Sequence, residues 1–188
     1  MRCQTASFFQ GGVMKHCMEC GSRLERKELE GEGEIPYCPK CHQFRFPMFN
    51  VAVSMIVLNP QQDKVLLIEQ YGKKGYILVA GYVNQGEDAE EAVCREISEE
   101  IGLEVEQLSF NHSHYFKKSN TLMLNFTAVV KDEQVHSNEE VDRWNWFTVE
   151  QAKEAIRDQS LAQAFLNGYF DKEYHFEICD EPGYFYTD

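Results

Sequence analysis

From Asn50 onward, apolar side chains form short continuous runs of the length expected for buried strands. The runs NVAVSMIVL and KVLLIEQ are separated by NPQQD, a composition typical of a hairpin turn. No run approaches the ~20 apolar residues that a membrane-spanning helix needs. The loop YGKKG then leads into YILVAGY and an acidic helical segment, and further strands are predicted at Leu103–Phe110, Thr121–Val130 and Trp144–Phe147.

Three segments show helical patterns instead. The first runs from Asp88 to Ile101 and has an apolar stripe made of Ala89, Ala92, Val93, Ile97 and Ile101. Gly102 follows at the place of a left-handed C-cap, and Cys94 on this helix is expected to be a small buried side chain.

Two further helices are predicted from capping boxes. Thr148 with Gln151 opens one through Arg157, and Ser160 with Gln163 opens another through Phe170. Strands and helices mix without strict alternation, which favours an α+β fold, or a mixed sheet between helices. We assign this domain to residues 48–170, followed by an acidic, aromatic tail at 171–188.

Four of the seven cysteines form two C-x-x-C pairs, Cys17 with Cys20 and Cys38 with Cys41. This spacing is typical of a tetrahedral zinc site closed by four thiolates, and it predicts a structural zinc ribbon at residues 14–47. Two disulfides are the alternative, but they need an oxidising compartment. Residues 1–13 form a poor export signal and are expected to be disordered or tag-like, so we expect a cytoplasmic protein.

The formal net charge of −13 argues against a large nucleic-acid-binding surface, because such a surface needs clustered lysine and arginine. The same charge repels anionic substrates at long range, unless bound cations reverse the sign locally. The first helix offers a place for cations, because Glu96, Glu99 and Glu100 stand at i, i+3 and i+4 on one face. A solvated acidic face is the alternative interpretation.

The complete motif around these glutamates decides between the two interpretations. It resembles the Nudix box, G-x5-E-x7-R-E-U-x-E-E-x-G-U with U aliphatic, at every specified position. A chance match is on the order of one in a billion per start site. The motif runs from Gly81 through Glu87 and Arg95 to Leu103.

The resemblance implies an α/β/α sandwich around a mixed sheet, and an enzyme that cleaves the diphosphate of a nucleoside diphosphate derivative. It also implies Mg²⁺ or Mn²⁺ bound by Glu96, Glu99 and Glu100, with a backbone carbonyl of Ala80 or Gly81. The resemblance also implies roles for residues next to these ligands. Arg95 would orient Glu87, and Glu140, favoured over Glu139, would serve as a further ligand or as general base, with Glu96 as the rival base.

A four-cysteine ribbon, the linking RFP and YILVAGYVNQGE resemble the NADH-pyrophosphatase branch of the family. That branch has an additional N-terminal domain and an S-Q-P-W-P-F-P-x-S array, of which only Ser113 and Phe116 remain here. We therefore expect a small nucleotide-derived substrate, with Phe46, Tyr82 and Phe116 (or its neighbour Tyr115) as candidates for base stacking. A homodimer is expected. A nucleotide sensor and an enzyme that removes nucleotide caps from RNA are the alternatives.

Overall fold

The computed structural model describes residues 14–180 of the 188-residue chain. The chain divides between Met48 and Phe49 into two compact units. Our expectations for residues 1–13 and for the last eight residues of the tail lie outside the described residues. Within residues 14–180, no helix is long and apolar enough to cross a membrane.

The N-terminal unit contains a small antiparallel sheet in the order β1-β2-β3. Its strands are β1 (Glu25–Leu29), β2 (Gly33–Cys38) and β3 (Gln43–Phe44). Few of its apolar side chains are buried, among them Ile35, Cys17 and Cys38. A unit this small cannot be stabilised by apolar burial alone and usually needs a metal or disulfides.

The larger unit is built on a six-stranded sheet in the order β7-β8-β4-β5-β9, with β6 paired to β4. The pairing of β4 with β8 is parallel and the other pairings are antiparallel, so the sheet is mixed, as expected. The strands are β4 (Asn50–Leu58), β5 (Lys64–Gln70), β6 (Val79–Tyr82), β7 (Val105–Phe116), β8 (Thr121–Val130) and β9 (Val141–Thr148).

Helices cover both faces of this sheet, which confirms the α/β/α sandwich. The first core packs α1 against one face through the fully buried Val93, Ile97 and Ile101. The second core packs α2 and α3 against the other face through Ala152, Phe165 and Leu166. The helices are α1 (Ala89–Ile101), α2 (Val149–Ala155), α3 (Leu161–Asp171) and α4 (Glu177–Asp180).

Several expectations about α1 are confirmed and one is wrong. Gly102 ends the helix with φ +67°, and its amide donates to the Ser98 carbonyl. Cys94, however, is exposed rather than buried. It stands beside the apolar stripe and not within it, so the helical period decides its burial and the residue type does not.

Other element boundaries differ from the prediction for identifiable reasons. A register shift between Phe110 and His112 allows β7 to continue through a polar segment to Phe116. Helix α2 ends at Ala155 because Ile156 adopts an extended conformation and forms a bridge with Tyr76. Strand β9 begins at Val141, three residues before the predicted start.

The described part of the C-terminal tail folds back on its own unit. The Phe176 ring stacks on His114 with centroids 4.0 Å apart, and it also contacts Phe165 of α3. The Tyr174 ring lies over Gly168, where an added Cβ would be 2.1 Å from the ring. This aromatic segment therefore covers the sheet face opposite α1.

Candidate active site

Helix α1 turns its three clustered glutamates toward different surroundings. Burial of Ile97 and Ile101 fixes the rotation of the helix against the sheet. As a result Glu100 is 4% exposed. The side chain of Glu96 is 13% exposed, whereas that of Glu99 is 59% exposed. The structure therefore brings Glu96 and Glu100 to the sheet and leaves Glu99 at the rim.

The Glu96 carboxyl group lies directly against strand β6. A Cβ added to Gly81 would stand 1.9 Å from Glu96 Cδ and 2.1 Å from Oε1. Gly81 pairs with Val53 of β4, which holds its backbone in place. The absence of a side chain at Gly81 thus permits the Glu96 carboxylate to approach the backbone. Gly81 is one of the two residues, with Ala80, that are expected to offer a carbonyl ligand.

The Glu100 carboxyl group is the most perturbed acid of the site. Burial raises the pKa of Glu100 to about 7, the nearby Gln70 side chain lowers it, and the charges of Glu96, Glu140 and Glu99 raise it further. Among the described residues, Glu100 Oε2 is buried without a hydrogen-bond partner, and so is Gln70 Nε2. A buried carboxylate oxygen without a partner costs free energy unless a cation or a proton compensates it.

Arg95 is the cation that the described residues place among these acids. Its Nε and Nη2 donate to the two oxygens of Glu87 at 2.7 and 3.0 Å. Its Nη1 donates to Glu96 Oε1 at 2.6 Å and to Glu99 Oε2 at 3.1 Å, and Nη2 also donates to the Tyr82 carbonyl at 2.9 Å. The pKa of Glu87 is lowered to about 2, mainly by its hydrogen bond from Arg95. The expected contact between Arg95 and Glu87 is therefore present.

Glu140, the residue before β9, forms an acidic cluster with Glu96 and Glu100. Its charge raises the pKa of Glu100. The Tyr71 hydroxyl donates to Glu140 Oε2 at 2.8 Å. The pKa of Tyr71 is raised to about 12, first by this hydrogen bond, and the charges of Glu100 and Glu96 add to the rise. Glu140, and not Glu139, is among the main causes of both shifts, so the electrostatic contacts favour Glu140.

The donor set suits a hard divalent cation. Glu96, Glu100 and Glu140 could supply oxygen ligands of the kind that Mg²⁺ and Mn²⁺ prefer. The partnerless oxygen of Glu100 and the carboxylate held over Gly81 are the two structural features that fit such an ion. Arg95 offsets part of the negative charge, but it makes no hydrogen bond to Glu100 or Glu140 among the described contacts.

The candidate residues for base stacking lie at separate places. Tyr82, next to the Arg95 contact, is 59% exposed. Phe116 follows His112 and His114 at two-residue intervals along β7, and therefore belongs to the sheet face that carries the tail. Phe46, in the N-terminal unit, is 53% exposed. The structure thus places Tyr82 beside the acidic cluster and Phe116 on the other face of the sheet.

Sequence analysis missed Gln70 and Tyr71. Both lie at the end of β5, where the loop YGKKG gave no chemical signal of its own. Their importance depends on partners far along the chain, since Tyr71 and Glu140 are 69 positions apart.

The N-terminal unit gathers the four cysteines into one cluster. The Sγ atoms of Cys17, Cys20, Cys38 and Cys41 all lie within 4.8 Å of one another. The Cys17–Cys41 and Cys20–Cys38 sulfurs are 3.9 and 3.5 Å apart. A disulfide would need about 2.05 Å. Zinc–sulfur bonds of about 2.3 Å in a tetrahedron place sulfurs about 3.8 Å apart, so these thiols fit a metal ion better than a pair of disulfides.

Hydrogen bonds around the sulfurs also suit thiolate ligands. The Cys41 amide donates to Cys38 Sγ at 3.3 Å. The Ser22 side chain and amide lower the pKa of Cys20 to about 6. In contrast, the Cys20 sulfur contributes most to raising the pKa of Cys41 to about 12. Four thiols this close cannot all ionise unless a cation neutralises them.

Comparison with known proteins bears on the family of this chain. The NUDIX domain model matches residues 48–166. The chain is 31% identical over 158 residues to "NAD-capped RNA hydrolase NudC" of Pseudomonas aeruginosa (strain LESB58), covering 82% of this chain and 55% of that protein. It is 29% identical over 150 residues to "NAD-capped RNA hydrolase ndx-9" of Caenorhabditis elegans, covering 77% and 39%. The chain spans about half the length, or less, of these curated relatives.

Solved structures share the fold. The crystal structure of a NUDIX hydrolase from Nitrosomonas europaea aligns with a TM-score of 0.59 and 20% identity, covering 87% of this chain and 96% of that chain. The structure of a C. elegans Ap4A hydrolase binary complex aligns with a TM-score of 0.53 and 20% identity, covering 65% and 96%. With a family model that matches most of the chain and a complete motif on α1, this protein belongs to the Nudix hydrolase family.

Proposed function

We propose that this protein is a Mg²⁺- or Mn²⁺-dependent pyrophosphohydrolase that cleaves the diphosphate of a nucleoside diphosphate derivative. One observation carries the proposal: among the described residues, buried Glu100 has a carboxylate oxygen with no hydrogen-bond partner, and the charges of Glu96 and Glu140 act on it. Such a cluster is costly by itself and becomes favourable when it binds divalent cations.

The roles of the side chains follow from their positions. Glu96, Glu100 and Glu140 would hold the ions, with Glu99 at the rim and a backbone carbonyl of Ala80 or Gly81. When bound, the ions supply charge neutralisation for the diphosphate and lower the pKa of a coordinated water.

The protein's own part of the reaction is the removal of one proton. Water attacks one phosphorus atom, the bond from that phosphorus to the bridging oxygen breaks, and a carboxylate accepts the proton of the water. Glu140 is our candidate for this base and Glu96 is the rival. Arg95 fixes Glu87 and Glu96 and thereby limits the motion of the site.

The names of the relatives point to a dinucleotide of the NAD type. NAD(H) is therefore the first substrate to test, followed by ADP-ribose and nucleotide sugars. Tyr82, beside the Arg95 contact, is the best placed of the three stacking candidates, and Phe46 and Phe116 remain candidates. The same names also favour removal of an NAD cap from RNA as a second function, although the net charge of −13 offers little attraction for RNA.

We further propose that Cys17, Cys20, Cys38 and Cys41 bind one structural Zn²⁺. All four positions are filled by cysteine, which leaves none open for chemistry. A cytoplasmic location suits four reduced thiols. We also propose a homodimer, which sedimentation equilibrium would test.

The experiment is a phosphate-release screen of NADH, ADP-ribose, nucleotide sugars and NAD-capped RNA with Mg²⁺ or Mn²⁺, after conversion of the products by phosphatase. The parent is expected to hydrolyse at least one of these substrates only when the divalent cation is present. Glu100→Gln is expected to lose this activity. Glu90→Gln, which changes an exposed glutamate of the same helix, is expected to retain it.

Two outcomes would contradict the proposal. Equal turnover by Glu100→Gln and the parent would show that the acidic cluster is not the active site. Binding of a nucleotide without any turnover would favour the alternative of a non-catalytic sensor.

A further inference from the structure

Tyr71 stands at the edge of the acidic cluster in an unusual backbone conformation. Its φ of +54° lies in the left-handed region, which is unfavourable for a bulky side chain. Such a conformation costs on the order of 1 kcal/mol or more, and it persists only where the surrounding contacts impose it. Two features of the surrounding structure restrain the chain on either side of Tyr71.

The first feature is the irregular end of the β5–β9 pairing. Glu69 pairs with Arg143 and Gln70 pairs with Val141, so Asp142 is an extra residue opposite this point. A bulge of this kind turns the strand and redirects side chains. Here it sends the Asp142 carboxylate to the Gly72 amide, which donates to it at 2.6 Å.

The second feature is that the loop after Tyr71 is held at its C-terminal end. The Gly75 amide donates to Glu69 Oε1 at 2.7 Å. Arg157, which follows α2, donates through Nη2 to the carbonyls of Lys74 and Gly75 at 3.1 and 3.2 Å. Together with the Asp142 contact, these hydrogen bonds restrain the loop that carries Tyr71, although its surface is exposed.

Tyr71 makes two hydrogen bonds with Glu140. Its hydroxyl donates to Glu140 Oε2, and its backbone amide donates to the Glu140 carbonyl at 3.4 Å. Glu140 is itself exposed, and its backbone amide is held by the Asn138 side chain at 3.0 Å. An exposed glutamate without these contacts would sample several rotamers.

We propose that Tyr71 is a positioning residue that fixes the Glu140 carboxylate toward the divalent-cation site. This inference rests on the proposed function, in which Glu140 is a ligand or a base. The hydroxyl engages Oε2, and no described hydrogen bond engages Oε1, which is the oxygen that we expect to face a cation or the attacking water. If the Glu140 side chain is already ordered, ion binding does not have to include the entropy cost of ordering it.

The test compares Tyr71→Phe, Glu140→Gln and the double variant with the parent full-length chain. Two quantities are measured: the dissociation constant for Mn²⁺ from the electron paramagnetic resonance signal of free Mn²⁺, and kcat and KM for the best substrate of the screen. Loss of an outer-shell partner typically weakens metal affinity or activity by about 10- to 100-fold. Because this hydrogen bond is exposed, we expect about 10-fold for Tyr71→Phe, either in Mn²⁺ affinity or in kcat, with KM nearly unchanged.

The double variant separates positioning from a general structural effect. If Tyr71 acts through Glu140, adding Tyr71→Phe to Glu140→Gln changes neither quantity by more than about twofold. Tyr169→Phe, on α3 of the opposite sheet face, is the matched control and should equal the parent. Thermal denaturation should give the same midpoint for Tyr71→Phe and the parent.

The outcomes distinguish this inference from the proposed function. A parent that binds Mn²⁺ and turns over substrate, together with a Tyr71→Phe variant equal to it, would overturn the role of Tyr71 alone. Full additivity in the double variant would also overturn it, since Tyr71 would then act independently of Glu140. A parent that binds no Mn²⁺ would overturn the proposed function and this inference with it.

Discussion

Replacing Glu100 with glutamine is expected to change how the stability of the hydrolase unit depends on pH. Burial raises the pKa of Glu100 from 4.5 to about 7 in the metal-free native state. Between these two pH values the native protein holds a proton that the unfolded chain has released. The free energy of unfolding therefore falls as the pH rises from about 4.5 to 7, and this contribution is lost above pH 7.

The size of the effect follows from the two pKa values. Their difference is about 2.5 pH units, and each unit corresponds to about 1.4 kcal/mol, so the contribution is roughly 3 kcal/mol. Most of it, about 2.5 kcal/mol, should be lost between pH 5 and pH 8. The side chain is 4% exposed, so solvent screens the charge only weakly. Glutamine keeps the shape without the charge.

Urea unfolding followed by tryptophan fluorescence measures this directly. Both tryptophans, Trp144 and Trp146, lie in β9, so the signal reports on the larger unit alone. In buffer without divalent cations, we expect Glu100→Gln to gain about 2 to 3 kcal/mol relative to the parent between pH 5 and pH 8. Addition of Mg²⁺ at pH 8 should stabilise the parent and not the variant.

A parent and a Glu100→Gln variant whose difference in unfolding free energy stays constant from pH 5 to pH 8 would refute this reasoning. Glu90→Gln, with an exposed carboxylate on the same helix, should show that constant difference and so serves as the control.

Three further predictions concern close contacts at single residues. Gly81→Ala would place Cβ 1.9 Å from Glu96 Cδ, so the carboxylate must move by more than about 1 Å. We therefore expect kcat/KM to fall about 100-fold while the denaturation midpoint changes little. An unchanged rate would contradict the close approach of Glu96 to Gly81. Cys38→Ser should abolish stoichiometric zinc in elemental analysis of the purified protein, whereas Cys94→Ser, at an exposed position, should keep it. Gly168→Ala would place Cβ 2.1 Å from the Tyr174 ring, so limited proteolysis should cut the chain after α3 faster than in the parent, and equal cleavage would contradict the packing of the tail.

The motif-bearing helix could be predicted closely from sequence because its information is local. The apolar period of α1, its C-cap at Gly102 and the spacing of Glu96 and Glu100 all lie within one short segment. The same period also shows why Cys94 is exposed. It lies beside the stripe of buried residues, and its small apolar side chain was a weaker guide than its position.

The rest of the site depends on partners that no local pattern reveals. The bulge at Asp142 arises from the register between β5 and β9, and it decides where Tyr71 and Glu140 meet. Likewise, the tail has no periodicity, yet Phe176 packs on His114 because the polar end of β7 exposes that ring to it. Contacts of this kind follow from tertiary pairing and become visible only in the folded chain.

The binding of divalent cations by Glu96, Glu100 and Glu140 together is the basis of the proposed function. Its most direct test is a crystal of the full chain soaked in Mn²⁺, with anomalous scattering recorded to locate the ion. We predict at least one strong peak within coordination distance of Glu100 Oε2 and a Glu96 oxygen. Diffraction of good quality with Mn²⁺ found elsewhere, and none among these three carboxylates, would contradict the account.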